Sequence, residues 1–232
     1  MRKEMIYLYQ KLYHGSEKII EHPQYGSGKK YNDYGLGFYC TDSLDMAKEW
    51  GVSRDKNGYA NQYEIDCSNL SILNLNDEQY SILHWLTILL ENREFDIPSG
   101  LALEAKEYLK NTFSIPYSDY DAIIGYRADD SYFSFAQDFI NGTISYRQLN
   151  EAMHLGKLGQ QFVLKSKKAF DQIHFLGYEV AASNEWFAQK ELRDKTARRE
   201  YFSMERNKWQ RGDLYIAQMI DEEMKPNDLR LR

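Results

Sequence analysis

A chain of 232 residues, 43% hydrophobic and 28% charged, suits one domain with a real core, or one domain plus an appendage. Nineteen tyrosines and an aromatic fraction of 15% exclude disorder, and a net charge of −6 excludes a global attraction to nucleic acid or to an anionic membrane, so any such contact is local. Cys40 and Cys67, the two cysteines, sit in apolar strand-like runs, which excludes a disulfide scaffold and points to buried thiols in a reducing compartment.

The first stretch, MRKEMIYLYQKLYHGS, holds no uninterrupted apolar segment of signal length, and the cytoplasm is the expected compartment. Residues 5–13, rich in Ile, Leu and Tyr, read as a strand with His14 at its end. Residues 18–22 read as a second short extended piece, ended by Pro23. Residues 24–33 (QYGSGKKYND) form a loop by composition, and the Lys29-Lys30 pair either attracts a pyrophosphate or lies solvated. Gly35 and Gly37 lead into Phe38-Tyr39-Cys40-Thr41, a short strand. Asp42-Ser43 then starts a helix, with Leu44, Ala47 and Trp50 on one face. Tyr39 and Trp50, eleven residues apart, either close on a flat ring from both sides or pack as core aromatics.

Residues 53–61 look turn-like. Tyr63, Ile65 and Cys67 alternate with polar residues as in a half-buried strand, and residues 70–75 give another. Two helices are expected over 78–93 and 99–111, the second capped by Ser99. His84 lies in SILHWLTILL and reads as a packed core histidine, with no second His or Cys at metal-ligand spacing. The apolar run 83–90 is too short to span a bilayer. A strand over 120–126 precedes Asp129-Asp130, which either cap the next helix (131–140) or hold a metal or ribose. A helix over 145–155 carries His154 on the surface of its last turn. Strands follow over 160–164 and 174–182, and Gln161 in the first is either functional or an edge-strand glutamine facing water. Residues 186–211 are mostly helical. From 187 to 211 eight basic residues (Lys190, Arg193, Lys195, Arg198, Arg199, Arg206, Lys208, Arg211) oppose four acidic ones, for +4. With Trp186, Tyr201, Phe202 and Trp209 interleaved, this helix holds RNA, DNA or an acidic partner, or packs its aromatics on the core. A last helix over 213–224 is ended by Pro226.

His14-Gly15-Ser16 at a strand end resembles the first motif of the ADP-ribosyltransferases of the diphtheria-toxin and poly(ADP-ribose) polymerase type. Gly35-Leu36-Gly37-Phe38-Tyr39-Cys40, followed by a helix with Trp50, resembles their second. Gln160-Gln161-Phe162 is similar to their third, with Gln161 where the family carries its catalytic glutamate, so the triad reads His14, Tyr39, Gln161. The order of motifs over roughly residues 7–183 also resembles a bacterial family of uncharacterised ADP-ribosyltransferase-like proteins. The resemblance implies an α/β (α+β) fold, two small and mostly antiparallel sheets enclosing an NAD cleft, with surrounding helices. Residues 1–183 would form this domain, and 184–232 a helical C-terminal extension packed on it.

It further implies that NAD is the co-substrate, with no metal, and that the product is mono-ADP-ribosylated protein or nucleic acid. A role as a bacterial toxin or phage-defence component, with an inhibitory partner protein (antitoxin), goes with it, and no membrane is involved. His14 would bond the adenosine ribose, Gly15 the nicotinamide carboxamide through its backbone, and Ser16 a nearby ribose or amide. Gly37 of the second motif would also be a cofactor-binding residue, while Tyr39 and Trp50 would stack on nicotinamide. Gln161 would hold the nicotinamide ribose. Glutamine hydrogen-bonds a hydroxyl but carries no charge, so Gln161→Glu is expected at this level to speed NAD hydrolysis. Two other readings stay open, a catalytically silent module that binds NAD or ADP-ribose and an interaction protein that docks through its basic helix. Neither a Rossmann fingerprint nor a phosphate-cradling Gly-Lys loop occurs in the sequence.

Overall fold

The computed structural model describes residues 9–128, 130–155, 159–206 and 209–231. Two small sheets carry the fold. The first has the order β1 (Tyr9–Ser16), β3 (Gly58–Asp66), β7 (Ile173–Ala181), all antiparallel. The second runs β2 (Phe38–Cys40), β6 (Gln160–Leu164), β5 (Ala122–Tyr126), β4 (Ile72–Asn74), and its β4–β5 pair is parallel. Alternation turns Leu12, Tyr63 and Ile65 of the first sheet inward onto Phe38, Cys40, Phe162 and Leu164 of the second, and this layer is one core. Both Cys40 and Cys67 are free thiols buried beside it.

The other face of the second sheet, with Leu73, Ile123 and Val163, packs against a larger helical core. α2 (Ile82–Asn92) is buried over nine of its residues, as a helix apolar on every side must be. α3 (Gly100–Thr112), α4 (Asp130–Ile140) and α5 (Tyr146–Ala152) surround it, and the short α6 (Lys167–Phe170) follows β6. Ser99 caps α3 by accepting from the Ala102 N–H, and Ser145 with Gln148 makes a capping box on α5. His84 does the same for α2 with Ser81, its ring edge-on to Tyr80 and Phe113, which makes it the packed histidine its setting predicts. His154 is exposed at the end of α5.

Several elements differ from the sequence reading. Residues 18–22 form no strand, because the buried Asn61 side chain takes up their backbone groups. Its amide donates to the carbonyls of His14 (3.2 Å) and Lys18 (3.2 Å) and to Ser16 Oγ (3.0 Å), and its oxygen accepts from the Ile20 N–H (2.9 Å). β3 begins at Gly58, inside the stretch read as a turn. The last helix, α8 (Ile216–Asp221), is shorter than expected. Asp213 is instead bound by Arg147 (2.8 Å) and by the Gln210 N–H (2.7 Å), which fixes it in a turn.

The long basic helix is α7 (Ser183–Arg206). Arg193 bonds Glu49 of α1 (Leu44–Gly51) at 2.8 Å with both side chains largely buried. Tyr201 stacks on Phe135 at 3.8 Å and donates to Asp138 (2.6 Å). Trp186 is buried, whereas Phe202 and Trp209 are exposed. Lys195 and Arg198 have acidic partners within the helix, Glu191 and Asp194. Asp129 and Lys208 and the side chains of Asp130 and Arg206 lie outside the described residues, as do residues 1–8 of the opening strand. No helix among the described residues is long and apolar enough to cross a membrane.

Because one buried amide holds the chain from Ser16 to Ile20, Asn61→Ala should cost about 2–4 kcal/mol in urea unfolding and speed protease cleavage between residues 17 and 22. Unchanged stability and cleavage would show that this segment holds itself.

Candidate functional site

The two sheets touch at one backbone pair. Tyr13 N–H donates to Thr41 O (2.8 Å) and Thr41 N–H to Tyr13 O (2.9 Å). Immediately beyond, the Tyr39 carbonyl is taken by the Nδ1 of His14 (2.7 Å), and the imidazole lies on Phe38 with ring centres 4.4 Å apart. A carbonyl only accepts, so Nδ1 carries the proton and Nε2 is left as an acceptor. Burial holds the ring's pKa below its ordinary value, against the pull of that hydrogen bond, and the imidazole is neutral.

From this split opens a cleft of roughly 1180 Å3. It is lined by six of the seven residues singled out by motif: His14, Gly15, Gly37, Tyr39, Trp50 and Gln161. Ser16 is not on its wall; the hydroxyl donates to Lys18 O and accepts from Asn61.

Gly15 has a packing role. A Cβ there would lie 2.0 Å from Ala47 O and 2.8 Å from Trp50 Cβ, so β1 and α1 meet backbone to backbone. Strand alternation also puts its N–H and C=O on the same edge as those of Tyr13, the edge turned towards β2 and the cleft. Gly35 has φ +71, a left-handed turn that favours glycine, and its carbonyl accepts from the Tyr39 hydroxyl (2.5 Å), which accepts in turn from the Tyr34 N–H (3.1 Å). Gly37 lets β2 lie against β6, since a Cβ would come within 2.7 Å of Val163 Cγ1. The ammonium of Lys165, which burial pulls down to about 8, donates to the Tyr34 and Leu36 carbonyls and holds this turn from beneath.

Trp50, at the end of α1, has the Arg127 guanidinium over its ring at 4.2 Å. Its buried Nε1 has no hydrogen-bond partner. One face of the indole is therefore occupied by a cation, and Tyr39 shares the cleft wall with it.

Gln161 is 5% exposed on β6, the second strand of a four-stranded sheet, and is not an edge residue facing water. Its Nε2 donates to Asp33 Oδ2 (3.3 Å), while its buried Oε1 has no partner. Asp33, also 5% exposed, accepts from Arg93 (2.9 Å) and the Ala128 N–H (2.8 Å). Burial raises its pKa, opposed by the Ala128 hydrogen bond and by Arg93 and Arg127.

Sequence reasoning passed over Asp33, Arg93 and Arg127. Asp33 closed a polar loop and Arg93 a helix, with nothing local to set them apart. Of the Lys29-Lys30 pair, Lys29 reaches the wall. Among the described residues, Lys18, Lys29, Arg93, Arg127 and Lys190 thus line the cleft against one carboxylate, Asp33, in a chain of net charge −6. Lys190 comes from α7. Among the described residues no group of three or more His, Cys, Asp or Glu can hold a metal ion.

Residues 10–175 match a family described as a protein of unknown function (DUF3990). The match runs from β1 into β7 and contains every motif residue of the cleft, while Lys190 lies beyond it. No curated protein and no solved structure matches the chain.

By NMR the His14 ring should show an Nδ1-protonated tautomer and a titration midpoint below 6.5, its ordinary value. The unfolded chain then binds this proton more readily than the folded one, so stability is lost as pH falls below that value. Substitution of His14 should flatten this dependence, leaving the contribution of His84, whose pKa is lowered by burial in the same sense. A midpoint above 6.5 would overturn the neutral assignment.

Proposed function

The chain belongs to the DUF3990 family, and we propose that this member is an NAD-dependent mono-ADP-ribosyltransferase, moving ADP-ribose to a macromolecular acceptor, protein or nucleic acid, with release of nicotinamide. The observation that carries this reading is the charge of the cleft. Among the described residues, five cationic residues and one carboxylate line a cavity of dinucleotide size in an acidic protein, an arrangement that attracts phosphates. The donor set suits the rest of the molecule. A neutral imidazole offers an acceptor to a ribose hydroxyl, and the free edge of β1 at Gly15 offers a donor and an acceptor to a carboxamide. Two buried polar atoms, Trp50 Nε1 and Gln161 Oε1, await partners.

In the reaction the bond between C1′ of the ribose and the nicotinamide nitrogen breaks, and its electron pair leaves with nicotinamide. The acceptor heteroatom bonds C1′ and loses its proton to water. Gly15 and the aromatic side chains of Tyr39 and Trp50 hold the leaving group in orientation, each ring contact contributing about 1 kcal/mol beyond burial. The hydroxyl of Tyr39 is engaged by Tyr34 and Gly35, so this residue acts as a fixed plane and not as an acid. Gln161 accepts from a ribose hydroxyl through Oε1 and keeps the sugar in place as positive charge develops.

The lack of charge at Gln161 favours a second reading, a module that holds NAD or ADP-ribose without turning it over. Adenine-tagged NAD incubated with bacterial lysate, then resolved into protein, RNA and DNA, separates the two. Transfer predicts label retained in one fraction and lost with the His14→Ala, Tyr39→Ala double variant. Free nicotinamide without retained label would make the protein a glycohydrolase, and binding without either product would establish the silent module. In calorimetry with ADP-ribose, Lys29→Glu and Lys190→Glu should each weaken binding by about tenfold at low salt, and by less as salt screens the charge. Unaltered affinity in both would remove the phosphate assignment from this face of the cleft.

A further inference from the structure

Three hydrogen-bond donors converge on one carboxylate in the cleft. Asp33 Oδ1 accepts from the Arg93 guanidinium (2.9 Å), and Asp33 Oδ2 from both the Ala128 N–H (2.8 Å) and Gln161 Nε2 (3.3 Å). A carboxylate is an acceptor at every lone pair, whereas a glutamine amide has a donating and an accepting end. The amide of Gln161, a residue that lines the cleft, can meet Asp33 only with its nitrogen, and its oxygen is then turned away, buried and without a partner.

We propose that Asp33 is a positioning residue for Gln161: its carboxylate fixes the amide so that Oε1 is the atom offered to the ligand's ribose hydroxyl, and it supplies locally the negative charge that position 161 lacks. This rests on the reading of the cleft as an NAD site. The pair brings one carboxylate and one neutral amide together from a loop and a strand 128 residues apart in the chain. Arg93 at the end of α2 and Arg127 after β5 face Asp33, with the hydroxyls of Tyr34 and Tyr39 as the further titratable groups near it.

The proposal reverses what position 161 implies when taken alone. Gln161→Glu would set a second carboxylate against Asp33 Oδ2, two acceptors with no proton between them at neutral pH. At lower pH the two carboxyls would share a proton and the contact would be restored.

NAD turnover is measured from pH 5.5 to 8.5 for wild type, Gln161→Glu and the double variant Asp33→Asn, Gln161→Glu, with thermal unfolding under the same conditions. Support would be a Gln161→Glu enzyme whose kcat is at least about tenfold below wild type at pH 8, recovers towards pH 5.5, and changes little in KM. The double variant, with one carboxylate again, should lose most of that pH dependence. A Gln161→Glu enzyme as fast as wild type or faster across the range would overturn the proposal, and so would a double variant with an undiminished pH dependence. A wild type without turnover would sink the proposed function, and the pairing would then be read from unfolding alone. Gln161→Glu losing stability as pH rises while the double variant does not would support the pairing, and parallel curves for all three proteins would overturn it.

Discussion

Tyr13 and Thr41 exchange two backbone hydrogen bonds at the point where the two sheets meet, and the position of every candidate side chain follows from where that pairing stops. Up to this point β1 and β2 behave as neighbouring strands. Beyond it they diverge, because the imidazole of His14 takes the Tyr39 carbonyl in place of a backbone N–H and needs room for its ring against Phe38. The wedge between the strands becomes the cleft. On one side α1 closes on β1 so tightly that residue 15 must be glycine. On the other, Lys165 and the Tyr39 hydroxyl hold the 34–36 turn over β6.

The electrostatics of the cleft follow from the same geometry. A negatively charged protein gathers five cations here because four separate elements send them to the same wall, Lys18 and Lys29 from the loop after β1, Arg93 from the end of α2, Arg127 from the end of β5 and Lys190 from α7. The carboxylate among them, Asp33, is buried, and its hydrogen bonds come from three donors. Charge contrast of this kind does not require a strongly basic chain. Convergence is enough, and a composition of −6 conceals it.

What was legible in the sequence was local. His14-Gly15-Ser16 and Gly37-Phe38-Tyr39 are contiguous motifs whose strand-end and strand-start character is set by neighbouring residues, Ser99 and Ser145 announce their helices as caps, and α2 announces itself by its apolar run. What was illegible depends on partners far away in the chain. Ile19 and Ile20 look like a strand, yet Asn61 supplies the hydrogen bonds that a neighbouring strand would have given. Gln161 looks like an edge residue until β2 and β5 are found on either side of β6. Asp33 has no local mark at all, since its meaning lies in three donors from the end of α2, the end of β5 and β6.

α7 lies entirely beyond the matched family segment, and it anchors to α1 through the Arg193–Glu49 pair while sending Lys190 into the cleft wall. If an anion fills the cleft as proposed, its binding and the docking of α7 are linked equilibria. An anion that gains from Lys190 binds the docked state more tightly than the undocked one, and by reciprocity it holds the helix down by the same free energy. With an anion bound as proposed, levering the helix away from α1 would lower the affinity of the cleft without touching a strand of either sheet, and the C-terminal segment would serve as a handle on occupancy from outside.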